Sequence, residues 1–268
     1  SIADATYGVD RHNRSELNGR GYLNFNIVDG LTFENSFGYQ YYNNNYVSKN
    51  DKFFGSAAST NGSLYKNNSE MNFYNILNLL RYKKSFSSHN LEALVAHESS
   101  EFKVQNTILS GNQLVDPYSL DFNNVIVTNP NSGYTNSYAL ESFFGQVNYD
   151  YDGKYLLSGS VRRDGSSRFL NNKWGTFGAI GAGWVISNEE FMNIDAIDFL
   201  KLKASYGVIG DQGGVGYYPG YDKFNIVNVN DKPAFSFDTK GNPDLTWETS
   251  KMFQTGVEFR LGNYLTGN

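Results

Sequence analysis

The sequence predicts an all-β protein: an antiparallel, up-and-down transmembrane β-barrel, present in part as about nine strands of a larger barrel. Three observations lead there. Apolar and polar side chains alternate at period two in one segment after another along the chain. Each such segment is about 9–11 residues long, the length a tilted strand needs to cross a bilayer. The connections alternate between short and long, as they do in a barrel with brief turns at one rim and extended loops at the other.

Composition agrees. Aromatic residues make up 16% of the 268 residues, with 20 Tyr, 20 Phe and 27 Gly. Aromatics and glycines are middling or poor helix formers, whereas aromatics suit a pleated surface and glycine suits tight turns. The net charge of −5 offers no basic stripe for phosphates and argues against nucleic acid as a partner. The absence of cysteine removes disulfides and thiolate metal sites from consideration. No apolar run approaches the roughly 18 residues of a membrane helix, so a membrane role would rest on strands, which need apolar side chains at alternate positions only.

Taken in order, Leu23, Phe25 and Ile27 alternate with Asn24 and Asn26, and Asp29-Gly30 supplies a hairpin signal. Leu31, Phe33, Phe37, Tyr39 and Tyr41 then alternate with Thr32, Glu34, Ser36, Gly38 and Gln40. Further segments follow near 70–82, 89–101, 139–149, 155–163, 174–186, 200–209 and 249–261. Short connections fall at Asp29-Gly30, 83–88, 151–154 and 187–199; long polar ones fall at 43–69, 103–137, 164–173 and 211–248. The connection 187–199 is expected to hold a short helix capped by Ser187, with Glu190 as its capping-box partner.

Segment 174–186 allows a dimensional test. Trp174 and Trp184 fall on one face of the strand, about 33 Å apart along it at 3.3 Å per residue. A tilt of about 40° reduces this to roughly 25 Å, the height of a barrel's apolar band, so the two indoles are expected in the two aromatic girdles. The competing reading is a pair of core tryptophans in a soluble sheet. Opposite faces carry the polar side. Arg162, Ser158 and Ser160 alternate with Leu157, Gly159 and Val161; Lys201 and Lys203 with Leu200, Leu202 and Ala204; Gln254, Glu258 and Arg260 with Phe253, Val257 and Phe259. They read as a wet lumen wall or as the solvated face of an ordinary sheet.

Catalytic and cofactor motifs are not evident. His97-Glu98 has no second histidine at zinc-protease spacing, and neither a nucleophile elbow nor a phosphate loop occurs. The oxygen-rich stretch 238–244 fails the EF-hand pattern. In the stretch from Arg163 to Arg168, Asp164 and the two arginines are candidates for contact with a substrate or a lid; the favoured reading is that Asp164-Gly165 starts a turn, with the arginines paired locally or facing lipopolysaccharide-like anions. Tyr217, Tyr218, Tyr221 and Phe224 are candidates for stacking on a substrate, or for packing a long loop on its neighbours. Catalytic, cofactor and metal sites are therefore expected to be absent, and the protein is expected not to be an enzyme.

Four stretches resemble the SusC/RagA family of TonB-linked outer-membrane proteins. The first runs from Glu141-Ser142-Phe143-Phe144-Gly145-Gln146-Val147-Asn148-Tyr149-Asp150-Tyr151 into Lys154-Tyr155-Leu156-Leu157-Ser158 and Arg162-Arg163-Asp164-Gly165-Ser166-Ser167-Arg168-Phe169. The second is Trp174-Gly175-Thr176-Phe177, continuing to Gly181-Ala182-Gly183-Trp184-Val185-Ile186-Ser187 and Glu189-Glu190-Phe191. The third is Leu200-Lys201-Leu202-Lys203-Ala204-Ser205-Tyr206-Gly207, ending in Gly210-Asp211-Gln212. The fourth is Asn242-Pro243-Asp244-Leu245-Thr246-Trp247-Glu248-Thr249-Ser250-Lys251. Gly178-Ala179 stands where the family usually has Pro-Ser, and Asp211 where it usually has Asn. The resemblance implies import of a nutrient, a glycan oligosaccharide or a peptide, across a Bacteroidetes-like Gram-negative outer membrane. It implies a plug domain, energy from the TonB complex and a SusD-like surface lipoprotein as partner. Because barrels of this class have about 22 strands, residues 1–268 read as an internal barrel piece, with the plug and the remaining strands outside it. Three rivals are a passive porin or adhesin barrel, an outer-membrane barrel enzyme, which would need a Ser/His/acid set near the rim, and a soluble β-sandwich binder.

Overall fold

A computed structural model describes residues 2–127, 131–192, 194, 196–262 and 265–267. A six-residue helix, Ile2–Tyr7, precedes the strands. These are β1 (Val9–Val28), β2 (Leu31–Asn50), β3 (Ser63–Phe86), β4 (His89–Asn112), β5 (Ser132–Tyr151), β6 (Tyr155–Ser166), β7 (Trp174–Val185), β8 (Phe199–Asp211), β9 (Lys223–Val229), β10 (Lys232–Thr239), β11 (Glu248–Leu261) and β12 (Leu265–Gly267). Ten of them form one open sheet in the order β1-β2-β3-β4-β5-β6-β7-β8-β11-β12, each beside its neighbour in sequence except where β9 and β10 intervene. Pairing is antiparallel in β5–β6, β6–β7, β7–β8, β8–β11 and β11–β12. The expected all-β meander is present, as an open sheet rather than a closed barrel.

The turns follow the local chemistry. Gly30 takes φ +78° at the β1–β2 hairpin, and its carbonyl accepts the Lys83 amide at 2.8 Å. A Cβ there would sit 2.3 Å from the Lys83 carbonyl oxygen, so this position requires glycine. Asp152 and Gly153 are both left-handed, at φ 56° and 63°, between β5 and β6.

Three expectations about the connections need correction. First, the strands nearest the amino terminus are far longer than a bilayer crossing: β2 has 20 residues, and β3 and β4 have 24 each. At about 3.3 Å per residue, 24 residues span roughly 80 Å. Much of 43–69 and of 103–137 is therefore strand, with the true connections falling, among the described residues, at 51–62 and 113–127. These extensions are rich in asparagine and serine, so alternation fades while side-chain ladders tie the paired strands. Asn43 Nδ2 donates to Asn68 Oδ1 (3.1 Å), the Tyr39 hydroxyl to Asn72 Oδ1 (2.7 Å) and Asn50 Nδ2 to Ser63 Oγ (3.0 Å).

Second, the long loop 211–248 contains a hairpin of its own. β9 and β10 pair antiparallel through Ile226↔Phe235 and Phe224↔Phe237 around a left-handed Asn230-Asp231 turn, φ 52° and 59°. Third, the turn after β7 is a single 3-10 turn, Ile186–Asn188, without a side-chain cap. The Val185 amide still bonds Lys154 O in the strand ladder, so the turn begins before Ser187 can cap it. The Ser187 hydroxyl is buried with no partner in the structure.

The chain forms two compact units. One comprises Ser1–Arg20, Gly38–Tyr74 and Glu101–Tyr138; the other comprises Gly21–Phe37, Asn75–Ser100 and Ala139–Asn268. In the first unit the buried apolar residues are Leu64, Leu114 and Ala57. Asp51 Oδ1 turns the chain there by accepting the Phe53 and Phe54 amides, and Lys52 Nζ donates to the Leu114 and Val115 carbonyls. In the second unit the buried apolar residues include Phe169, Phe177, Leu79 and Val185. Few large side chains are buried in either unit, as expected of a single sheet with no second layer packed upon it.

Candidate functional site

Register decides which residues share a face. Directly paired residues in an antiparallel ladder project to the same side, and successive residues to opposite sides. Ile180 pairs with Gly159 and Tyr206, and Tyr206 with Phe253. Val147 pairs with Gly159, and Leu202 with Val257. One face across β5–β8 and β11 therefore carries Phe143, Val147, Leu157, Val161, Ile180, Leu202, Tyr206, Phe253 and Val257. This face is uncovered: Phe253 is 70% exposed and Ile180 66%. Exposed apolar surface on this scale marks an interaction with lipid or protein.

The opposite face is polar and internally paired. Arg162 bonds Glu98 at 2.9 Å and Asp164 at 2.6 Å, donates to Ser142 Oγ at 2.9 Å and lies over the Phe144 ring. Lys203 meets Glu258 at 2.5 Å, and Lys201 approaches the same carboxylate at 3.8 Å. Arg81 joins Glu34 and Glu92. A concavity of about 940 Å³ opens on this face, with Asn148, Ser158, Lys201, Lys203, Ser205 and Gln254 in its lining.

Trp174 and Trp184 lie on the apolar face at the two ends of β7, in an unbroken register with β6, and both are partly exposed. Trp174 pairs with Gly165, and its ring occupies the space a Cβ on that glycine would need. Arg163 stacks on the same indole at 5.5 Å. Asp164-Gly165 is thus strand, not the start of a turn. The bare glycine backbone is covered by a cross-strand aromatic, and the chain turns only after Ser166. Arg168 does pair locally, donating to the Gln212 and Val215 carbonyls.

At the other end, Glu189 ties the rim together. Its Oε1 accepts from the Tyr155 hydroxyl (2.6 Å) and from Trp184 Nε1 (2.9 Å), and Lys154 lies 3.7 Å from Oε2. The Tyr155 hydrogen bond, then that of Trp184, then the Lys154 charge hold the Glu189 carboxyl below the usual carboxylate range. A carboxyl lowered in the native state stabilises it at neutral pH, and that stabilisation is lost as pH falls through the lowered value. Acidification below the ordinary glutamate range should therefore shift the ¹⁹F resonance of fluorotryptophan at position 184. Glu189→Gln should abolish the titration, and a persistent one would show that another group governs the indole. The capping-box pattern points to Glu190, but the turn has no side-chain cap, and the Tyr155 hydroxyl and Trp184 indole N–H converge on Glu189 instead.

The four loop aromatics have three different settings. Tyr217 lies under the Arg168 guanidinium at 5.2 Å, with the Tyr218 ring 6.4 Å away. Tyr221 is half exposed in the chain that packs against Gly241. Phe224 belongs to the β9–β10 hairpin, where it meets Phe237 edge-on at 5.7 Å. The loops 167–173 and 240–247 share a small core that sequence reading missed. Phe169 and Phe177 each lie 5.5 Å from Trp247, whose Nε1 donates to Lys173 O at 3.0 Å. The signal for it was there: an isolated Phe and an isolated Trp, each in a polar loop. Among the described residues, no group of three or more His, Cys, Asp or Glu converges as metal ligands would.

A single meander with one uncovered apolar face and one charged, hydrogen-bonded face defines the wall of a transmembrane β-barrel. The family model described as "TonB dependent receptor-like, beta-barrel" matches residues 2–268. The chain belongs to this family, whose members are outer-membrane β-barrels. It is 33% identical over 253 residues to a TonB-dependent receptor of Formosa agariphila, covering 90% of this chain and 24% of that protein. It is 30% identical over 215 residues to the TonB-dependent receptor SusC of Bacteroides thetaiotaomicron, covering 76% of this chain and 20% of that protein. Among solved structures it matches the RagAB peptide transporter with a TM-score of 0.89 at 26% identity, over 97% of this chain and 29% of that one. The chain spans about a quarter of the length of these relatives. The SusC/RagA resemblance and the partial barrel are thereby established.

Proposed function

We propose that this chain forms part of the wall and outer loops of a TonB-dependent importer that carries a glycan oligosaccharide or a peptide across the outer membrane, in company with a SusD-like lipoprotein. The observation that carries the reading is the division of faces within single strands. In β6, Leu157 and Val161 face one way while Ser158, Ser160 and Arg162 face the other. Lipid suits the first side and an aqueous or protein-filled lumen suits the second. Trp174 and Trp184 then mark the two interfaces, where an indole keeps its ring in the apolar layer and its N–H near polar groups. The long-loop rim lies outside the cell, and Tyr218, Tyr221 and Phe224 are exposed there for stacking on substrate.

The relatives support this in two ways: SusC is named a TonB-dependent receptor, and the RagAB structures are described as a peptide transporter or importer. A soluble sandwich is disfavoured because no second layer covers Ile180 or Phe253. The test is uptake of labelled oligosaccharides and peptides by cells carrying the full-length protein. Uptake should stop when TonB is deleted or the proton-motive force is collapsed. Uptake that persists under both conditions would establish a passive pore instead.

A further inference from the structure

The apolar face of the second unit is not uniformly filled. A cleft of about 500 Å³ opens on it, walled by Leu31, Leu80, Tyr82, Val95, Val147 and Val161, with Gly145 and Gly159 in its floor. The floor glycines are not there for the chain's own sake. Neither has a positive φ, and a Cβ on Gly159 would meet nothing within 4 Å. A Cβ on Gly145 would make only an ordinary 3.4 Å contact with Leu94 O. Glycine weakens a strand interior and forfeits apolar contact with lipid, so an alanine or valine would serve a plain barrel wall better.

A cation lies beyond one end of the cleft, on the same face of β6. Arg163 is two residues beyond Val161 and four beyond Gly159 on the same face of β6, about 13 Å from the latter along the strand. It is exposed, points toward the long-loop rim and is held against the Trp174 ring. The acidic side chain of that region, Glu141, hydrogen-bonds His97 at 3.1 Å. Arginine is the side chain best suited to a phosphate ester, because its planar fork binds two oxygens at once. Its aliphatic stem lets it reach up to the interface from the apolar layer.

We infer that the cleft holds one acyl chain of a phosphorylated outer-leaflet lipid, with Arg163 binding its headgroup phosphate. The inference rests on the reading of this face as the membrane face. The spacing suits an outer-leaflet lipid: headgroup at the level of Arg163 and Trp174, chain running inward over Val161 to the Gly159 level. The cleft would then be a specific lipid seat on a barrel surface that otherwise meets bulk lipid.

The test uses the full-length protein in detergent, titrated with monophosphoryl lipid A and read by native mass spectrometry. The wild type should retain one lipid. Arg163→Gln should weaken retention roughly tenfold or more, the scale of a lost charge-assisted hydrogen bond. Gly159→Leu, and Gly145→Val as a second filling variant, should weaken it comparably with the charge intact. The double variant Gly159→Leu/Arg163→Gln should lose less than the sum, because both changes act on one bound molecule. Inorganic phosphate at matching concentration should not compete. Four outcomes would overturn the inference: unchanged retention in Arg163→Gln, unchanged retention in both filling variants, full competition by phosphate, or conversion of a dimer to a monomer by the filling variants with lipid unchanged. Extraction of the protein into water without detergent would instead defeat the membrane reading itself, so the two failures are distinguishable.

Discussion

Replacing Ile180 with arginine is expected to destabilise the folded full-length barrel by about 2–4 kcal/mol, the penalty for a charge near the bilayer midplane on a lipid-facing position. Ile180 is 66% exposed, lies in the middle of β7 and is flanked across the sheet by Gly159 and Tyr206, so no neighbour can pair the charge. The control is Ser160→Arg, which pairs with Ala179 and Gln146 on the polar face. There the new guanidinium enters water or polar surroundings, and a change within about 0.5 kcal/mol is expected. Reversible unfolding in lipid vesicles measures both. Equal stability of the two variants would mean that the faces are not divided between lipid and water.

Phe169→Ala should have the second large effect, confined to the loops. Phe169 is 1% exposed and its ring lies tilted 5.5 Å from Trp247, which in turn meets Phe177 edge-on. Truncating a buried Phe costs about 3–5 kcal/mol, from lost burial and the cavity left behind. The remaining ties between these loops are hydrogen bonds, which replace none of the lost apolar contact. Asn171 donates from its amide to Pro243 O and from its side chain to Asp244, and Thr246 Oγ1 donates to Asn172 O. Hydrogen exchange should therefore accelerate in 167–173 and 240–247 while the β6–β7–β8 ladder keeps its protection. Phe169→Leu should do less. If exchange in Phe169→Ala matched the wild type, the ring cluster would not be what orders this rim.

Much of the wall was legible in the sequence because alternation is a property of one strand. Leu157, Gly159 and Val161 declare a face without reference to any neighbour, and Asp29-Gly30 declares a turn through glycine's access to positive φ. The polar extensions of β2 and β3 were not legible. Their asparagines look like loop until Asn43 is placed beside Asn68 and Asn50 beside Ser63. The β9–β10 hairpin carried a usable signal, with Phe224 and Ile226 alternating before Asn230-Asp231 and Phe235 and Phe237 after it. Its Pro233 lowers strand propensity, which hid the pattern inside a long connection. Asp164-Gly165 misled for the opposite reason. The pair favours a turn locally, and the Trp174 ring laid over Gly165 keeps it in the strand.

By itself the sequence determined the all-β class, the two-sided character of the predicted strands and the family. All three follow from local period and residue identity. The tertiary structure decided which partners meet. Arg162 finds Glu98 two strands away, Glu189 collects Tyr155 and Trp184, Phe169 finds Trp247 across a long stretch of chain, and Val147, Val161 and Val95 surround an empty floor at Gly159. These contacts depend on the register between strands, which tight turns and long ladders set over the whole sheet and which no single segment encodes.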